Sequence, residues 1–311
     1  MTVAFLHHPM CHQHETDPPH PESSERLDSI LKHIEPYRSQ LLFVEPEPAA
    51  ECLLEQVHSR QQIDRIKNYS ESSRYIGGDT ETSPYSYPAA LVAAGAGPAA
   101  IDLFRHGLAH SALAAIRPPG HHATANQSMG FCLFNNAAMS ARYAQSHGYQ
   151  RVLIVDFDVH HGNGTQDIFY EDDSVFYFSS HQLPSYPGSG DKNETGRGDG
   201  IGYTGNYPLA PGDGDAELLP IYQRQLPKVV EKFRPDILLV SAGYDIHVLD
   251  PLANLKVSTA GVMTMVEALM ECSDIPKLFL LEGGYHLQAL GECVATTIEV
   301  LLKHDAEIAS P

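Results

Sequence analysis

The chain of 311 residues is poor in three things: paired cysteines, long apolar runs and positive charge. Its five cysteines show no Cys-x-x-Cys spacing, which argues against a disulfide frame or a structural zinc site and for free thiols in a reducing compartment. No apolar run reaches the ~18 residues of a membrane span. The start of the chain lacks the basic stretch and apolar core of a secretory leader. A cytoplasmic protein with no membrane partner is therefore expected. Lys and Arg number 20 against 39 Asp and Glu, a formal charge of −19. Such a surface repels nucleic acid and attracts cationic substrates; a solubility adaptation to a salty habitat explains it equally well. No internal repeat or low-complexity segment stands out.

What the chain does have is a set of apolar runs that end in polar groups. The run 152–155 leads into Asp156-Phe157-Asp158-Val159-His160-His161-Gly162-Asn163-Gly164. A short apolar run closed by a turn reads as a strand buried on both faces of a parallel sheet. Period 2 puts Asp156, Asp158 and His160 on one side, at the carboxyl end where open α/β sheets place their ligands. Carboxylate and imidazole donors suit zinc, with manganese, iron or cobalt less favoured. A second cluster is Arg117-Pro118-Pro119-Gly120-His121-His122, in which prolines and glycine stiffen a loop that can aim both histidines into one cavity. The runs 237–240 and 278–281 lead into Ser241-Ala242-Gly243-Tyr244-Asp245 and Glu282-Gly283-Gly284-Tyr285-His286. Asp245 is a candidate third ligand and Tyr285 a candidate hydrogen-bond donor. Taken alone, Asp245 reads better as a helix N-cap and Tyr285 as a packed aromatic.

Helical spacing fills the intervals: 88–106, where Gly95, Gly97 and Pro98 should bend or break the helix, then 135–147, 216–233, 259–272 and 286–303. Strands alternating with helices predict an α/β fold with a parallel multi-stranded sheet covered on both faces. Motifs from residue 20 to 285 must meet in one site, which argues for one domain over 1–311. The likeliest flexible stretch is 187–205, rich in Gly, Asp and Asn.

In order and content these motifs resemble the zinc-dependent histone deacetylase family, which also includes bacterial acetylpolyamine amidohydrolases and acetoin-utilisation proteins. The likeness spans roughly residues 5–300 and has a class II flavour: His20-Pro21-Glu22-Ser23-Ser24-Glu25-Arg26-Leu27 near the start, and Asn163 where class I enzymes carry Asp. The resemblance implies the arginase-deacetylase fold. It implies one catalytic Zn2+ held by Asp158, His160 and Asp245, with one coordination position open. His122 is then general base and acid, His121 its electrostatic partner, and Tyr285 the donor to the oxyanion. Asp156 should accept from His121, and Asn163 from His122.

The resemblance also implies a substrate tunnel with Gly130 and Phe131 on one wall and Tyr186 on the other, Leu252 at the rim, Asp79 gripping the substrate backbone, and Arg26 lining an acetate channel. One or two K+ ions would sit beside the zinc strand, one at Asp156, Asp158, His160, Ser179 and Ser180, the other at Phe169, Asp172, Val175 and Tyr203. Leu252 stands where polyamine-specific relatives place a glutamate, and the chain lacks the long insertion near the N-terminus that narrows those enzymes. An acetylated lysine peptide or protein is therefore the expected substrate, with a small acetylated amine as the alternative. Two rivals remain. A binuclear manganese ureohydrolase of this fold needs extra Asp ligands that these runs do not offer, and a non-catalytic binding protein would be marked by loss of Tyr285 or a ligand. Oligomeric state stays open.

Overall fold

The computed structural model describes residues 2–73 and 75–308. Met1, Arg74 and residues 309–311 of the expected domain span lie outside the described residues. Short apolar runs become strands here because helices cover both faces. β1 (Val3–Leu6), β3 (Ser111–Ala114), β4 (Val152–Asp156), β5 (Val175–Gln182), β7 (Ile237–Ala242) and β8 (Lys277–Leu281) are buried at every position. β2 (Leu41–Val44) and β6 (Thr204–Leu209) are the partly exposed edges. The eight form one sheet in the order β2-β1-β3-β8-β7-β4-β5-β6, with every pair parallel.

This order positions the site. After β3 the chain leaves two places empty, adds β4, β5 and β6 outward, and returns to fill the gap with β7 and β8. The four central strands are thus β3, β8, β7 and β4, and their carboxyl ends carry residues 117–122, 282–285, 241–245 and 156–160. Register aligns Asp156 with Ser241, and Ser241 with Leu280, so the polar ends emerge at one level.

The expected helices 135–147, 259–272 and 286–303 are Asn136–Ser146, Thr259–Glu271 and Leu287–Ile308. Asn135 caps the first of these, its side chain accepting the Ala138 N–H at 2.9 Å. Three expectations need correcting. Gly95, Gly97 and Pro98 do not break their helix; Ser86–Arg105 is continuous over 20 residues. The glycines serve close packing, since a β-carbon at Gly95 would strike the Glu47 carbonyl and one at Gly97 would strike Ser140 Oγ. This helix also has the length and composition of a membrane span, but 67% of the stretch is buried inside the protein, as in a core helix. The helix expected over 216–233 is instead Asp215–Pro220, a π-turn over Ile221–Gln225, and Leu226–Phe233. Pro220 and Pro227 each lack the N–H that an unbroken α ladder needs. Finally, the stretch 187–205 is cross-braced. The Glu194 carboxylate accepts the N–H groups of Gly190 and Asp191, each at 3.1 Å, and the Arg197 N–H reaches the Tyr170 carbonyl at 2.7 Å.

The Ser86–Arg105 packing gives a direct test. In an exposed helix, Gly95→Ala would gain roughly 1 kcal/mol. Here the added methyl meets backbone, so the variant is expected to lose about 1–3 kcal/mol, as overpacked cores do. Urea unfolding of wild type and variant measures the sign.

Candidate active site

Four loops deliver the site, and local hydrogen bonds fix their shape. At the end of β4 each aspartate accepts a backbone N–H two residues on: Asp156 Oδ1 from Asp158 at 3.1 Å, and Asp158 Oδ1 from His160 at 2.9 Å. These turns bend the chain after Asp156, so the three residues do not line one face as in an extended strand. Asp158 and His160 go one way and meet Asp245 from the end of β7, with ligand atoms all within 4.8 Å. His160 Nδ1 stands 3.1 Å from Asp158 Oδ1 and 3.3 Å from Asp245 Oδ2. Backbone donors hold the other oxygens: Gly283 N–H on Asp158 Oδ2 at 2.8 Å, and Val159 N–H on Asp245 Oδ1 at 2.9 Å. A side chain at Gly243 or Gly283 would collide with these carboxylates.

This cluster fits a divalent cation. Asp245 Oδ2 is buried and has no hydrogen-bond partner, and an unmatched buried carboxylate oxygen is costly. Burial, then the Asp158 charge, push the Asp245 carboxyl upward. Burial would lower the His160 imidazole, but its hydrogen bond to Asp158 and the negative charge of the nearby Asp245 raise it to about 10. Two crowded carboxylates and an imidazole are the donors that zinc takes. A second group of potential ligands, His121, Cys132 and Glu282, also lies within 4.8 Å. It makes a poor metal site. His121 is hydrogen-bonded to Asp156 and the Glu282 carboxylate to the Gly120 and His121 amides, and burial holds the Cys132 thiol well above its ordinary value.

Asp156 turns toward the histidine loop. Its Oδ2 accepts His121 Nδ1 at 3.0 Å and the Tyr177 hydroxyl at 3.0 Å. His122 Nδ1 donates to Asn163 Oδ1 at 2.8 Å, and the two histidine rings lie 4.0 Å apart. Both expected histidine partners are therefore in place. Burial lowers His122, and the neighbouring His121 and His160 lower it further, well below 6.5. Burial also works to lower His121, but Asp158, Asp156 and Glu282 outweigh it and hold this ring well above 6.5. These surroundings favour a neutral His122 and a cationic His121.

Around them stand aromatic walls. Tyr186 meets His122 edge-on at 5.1 Å and Phe131 meets Tyr285 at 5.9 Å. Gly130 and Phe131 both have positive φ (54° and 66°), and a β-carbon at Gly130 would strike the His122 ring. Asp79 Oδ1 accepts the Gly130 N–H at 3.3 Å, so it braces this loop from behind. Leu252 is 39% exposed beside Asp250, whose carboxylate accepts the N–H groups of Leu252 (3.0 Å) and Tyr285 (2.6 Å). Of the expected potassium residues, Val175, Ser179 and Ser180 lie on β5, and the others lie on β4, the helix Asn163–Phe169 and the adjoining loops. Ser179 Oγ lies 2.8 Å from His181 Nδ1, and Ser180 Oγ lies 2.6 Å from the Tyr222 hydroxyl. Asp172 pairs with Arg142 at 2.8 Å, the Phe169 and Tyr203 carbonyls accept N–H groups from Asp172 and Tyr177, and Val175 begins the strand.

Arg26 is fully buried, not a surface residue. It donates to the Gly284 carbonyl at 2.7 Å and the Glu282 carbonyl at 2.5 Å, and lies under the Tyr285 ring at 5.1 Å. Glu22 pairs with Arg26 at 3.0 Å and with Arg117 through both carboxylate oxygens at 2.5 and 2.8 Å. Sequence reasoning assigned no role to Glu22, Arg117, Tyr177 or Glu282. Glu282 carried one usable signal: a carboxylate at the end of a fully apolar strand must find donors.

An all-parallel α/β sheet with a carboxylate–imidazole cluster and a histidine pair at its carboxyl edge defines a protein of the arginase-deacetylase fold class. The family pattern described as "Histone deacetylase domain" matches residues 20–301. The chain is similar to "Histone deacetylase 10, chloroplastic" of Oryza sativa subsp. japonica, 39% identical over 91% of this chain and 70% of that protein. It is 40% identical to a "Probable deacetylase" of Methanothermobacter thermautotrophicus, over 93% of this chain and 87% of that one. The solved structure titled "Crystal Structure of HDA15 HD domain" superposes with a TM-score of 0.93 at 35% identity, covering 97% of this chain and 88% of that one. The chain belongs to the histone deacetylase family.

The Glu22 network predicts a pH response. Burial would raise the Glu22 carboxyl, but Arg117 first and then Arg26 hold it down at about 2, against an ordinary 4.5. A depressed carboxyl stabilises the fold above the unfolded value and loses that contribution as pH falls from about 4.5 through 2. Glu22→Gln strands two buried guanidinium groups and is expected to cost about 3–5 kcal/mol near pH 7. The gap to wild type should close in acid. Denaturant unfolding of both proteins from pH 7 down to pH 2 checks this, and a gap constant with pH contradicts it.

Proposed function

We propose that the protein is a zinc-dependent deacetylase that removes acetyl or other short acyl groups from the lysine side-chain amine of peptides or proteins. The single observation that carries this reading is the buried Asp158–His160–Asp245 cluster with its orphaned Asp245 Oδ2, set beside a neutral and a charged histidine. Asp158, His160 and Asp245 would hold the ion. When bound, it would supply Lewis-acid polarisation of the amide carbonyl and acidify a water. With Nδ1–H given to Asn163, His122 keeps its Nε2 lone pair, which takes the proton of the attacking water and returns it to the leaving amine. His121, tied to Asp156, stays cationic beside it and stabilises developing negative charge. The Tyr285 hydroxyl donates to the oxyanion from the β8 side. Phe131 and Tyr186 shield an aliphatic stem from water, and Arg26 lies beneath as the lining of an exit for acetate.

Three ligands from two loops favour one metal over two, which argues against a ureohydrolase, and an intact ligand set argues against a binding protein. The apolar lip at Leu252 favours acyl-lysine over acylpolyamine. The charge of −19 concentrates either cationic substrate. Five free cysteines fit a reducing cytoplasm, and one domain fits the continuous core.

Two experiments test this. The purified protein should carry about one zinc per chain and hydrolyse an acetyl-lysine peptide with a higher kcat/KM than acetylspermidine. Asp158→Ala and His160→Ala should lose metal and activity together. Two metals per chain with arginine hydrolysis would overturn the reading; preference for acetylspermidine would replace the substrate by the polyamine. In the second, Tyr285→Phe should keep its zinc and its fold while kcat drops by roughly a hundredfold or more, the usual cost of one oxyanion donor. Near-normal turnover would reduce Tyr285 to a packed aromatic.

A further inference from the structure

Glu282 lies outside the metal and substrate contacts proposed above, yet its side chain joins the histidine loop to the end of β7. The side chain is fully buried at the end of β8. Oε2 accepts the N–H of Gly120 at 2.6 Å and of His121 at 3.1 Å, the two residues that lead into the histidine pair. Oε1 accepts the Ser241 hydroxyl at 3.1 Å, four residues before Asp245 on the neighbouring β7. Its carbonyl is held by Arg26, and the next N–H, of Gly283, is spent on the ligand Asp158 at 2.8 Å. Tyr285 follows two residues later. One residue thus spans from the histidines on one side of the reacting carbonyl to the tyrosine on the other. The strands alone do not fix that separation. β3 and β8 stop their ladder at Ala114–Leu280, and the loops beyond carry no strand pairing to one another.

We infer that Glu282 is a positioning residue: its carboxylate sets the distance between the His121–His122 loop and Tyr285 by clamping the Gly120 and His121 amides to the end of β8. The inference rests on the deacetylase reading and adds a role to a residue outside the metal and substrate contacts. What sets this distance is the reach of the two oxygens; the charge adds a smaller contribution to keeping His121 cationic, behind Asp158 and Asp156. Glutamine has the same reach: its amide oxygen accepts both N–H groups, and its NH2 donates to Ser241 Oγ, whose own hydrogen turns away. Aspartate keeps the charge but falls one methylene short of the amides.

The test is steady-state kinetics of wild type, Glu282→Gln and Glu282→Asp on an acetyl-lysine peptide, with zinc content and thermal melting measured on the same samples. Rates are expressed per folded, zinc-loaded chain. Glu282→Gln should keep kcat within about tenfold. Glu282→Asp should lose on the order of a hundredfold in kcat, the scale for a misplacement of about 1 Å, with KM and zinc content near wild type. The inference is overturned if Asp outperforms Gln, which would mean charge is what counts, or if both variants turn over like wild type. It is overturned equally if both fail through loss of zinc or a raised KM. Should Glu282→Asp not fold, Glu282→Gln still decides, since a kcat below about a hundredth of wild type contradicts a role of reach alone. A wild type that does not hydrolyse the peptide at all overturns the deacetylase reading itself, a different outcome from any of these.

Discussion

Two buried carboxylates, Asp158 and Asp245, face each other with one imidazole between them, and the rest of the structure is arranged around that crowding. Like charges in a low-dielectric interior repel strongly unless a cation or hydrogen-bond donors intervene. The protein supplies donors for three of the four oxygens, from the backbone amides of His160, Gly283 and Val159, and leaves Asp245 Oδ2 bare. The glycines at 243 and 283 follow from this, because only a bare α-carbon fits against the carboxylates. An ion at this point would neutralise the crowding and complete the fold locally.

Around this centre the chain builds a second layer of opposite logic, in which cations are buried against carboxylates with every guanidinium nitrogen engaged. Arg117 and Arg26 share Glu22, and Arg26 continues to the carbonyls of Glu282 and Gly284. Breaking such a layer costs more than a surface ion pair because each orphaned charge would remain in an apolar surround. The layer holds the loop after β8 while Asp250 holds its far end through the Tyr285 and His286 amides. Tyr285 is thereby fixed at both sides of its own backbone.

The histidine pair shows how neighbouring residues of one type acquire different chemistry. His121 and His122 are adjacent in sequence and both are buried. One lies among three carboxylates and is held as a cation; the other meets an uncharged asparagine and two imidazoles and is held neutral. An amide at position 163 orients His122 without adding charge, so the surroundings favour a neutral imidazole beside a charged one.

The sequence by itself determined the architecture in outline and most of the site. Apolar runs that end in Asp-x-Asp-x-His-His, Gly-Tyr-Asp and Glu-Gly-Gly-Tyr can be read as buried parallel strands with polar ends, because burial on both faces removes the alternation that surface strands show. The His121–Asp156 and His122–Asn163 contacts were legible from the motifs. Tertiary structure alone decided the order of the strands, since the late insertion of β7 and β8 depends on how helices cover the sheet and leaves no mark in any one segment. Short strands such as Ser111–Ala114 were illegible because four residues are too few to carry a periodicity. The unbroken helix through Gly95, Gly97 and Pro98 was misread because propensity favours a break, while contacts with Glu47 and Ser140 reward small residues there. Glu282 was quoted in a motif but had no role until the fold brought β3, β7 and β8 side by side, for a carboxylate's partners across three strands are set by packing and not by neighbours in the chain.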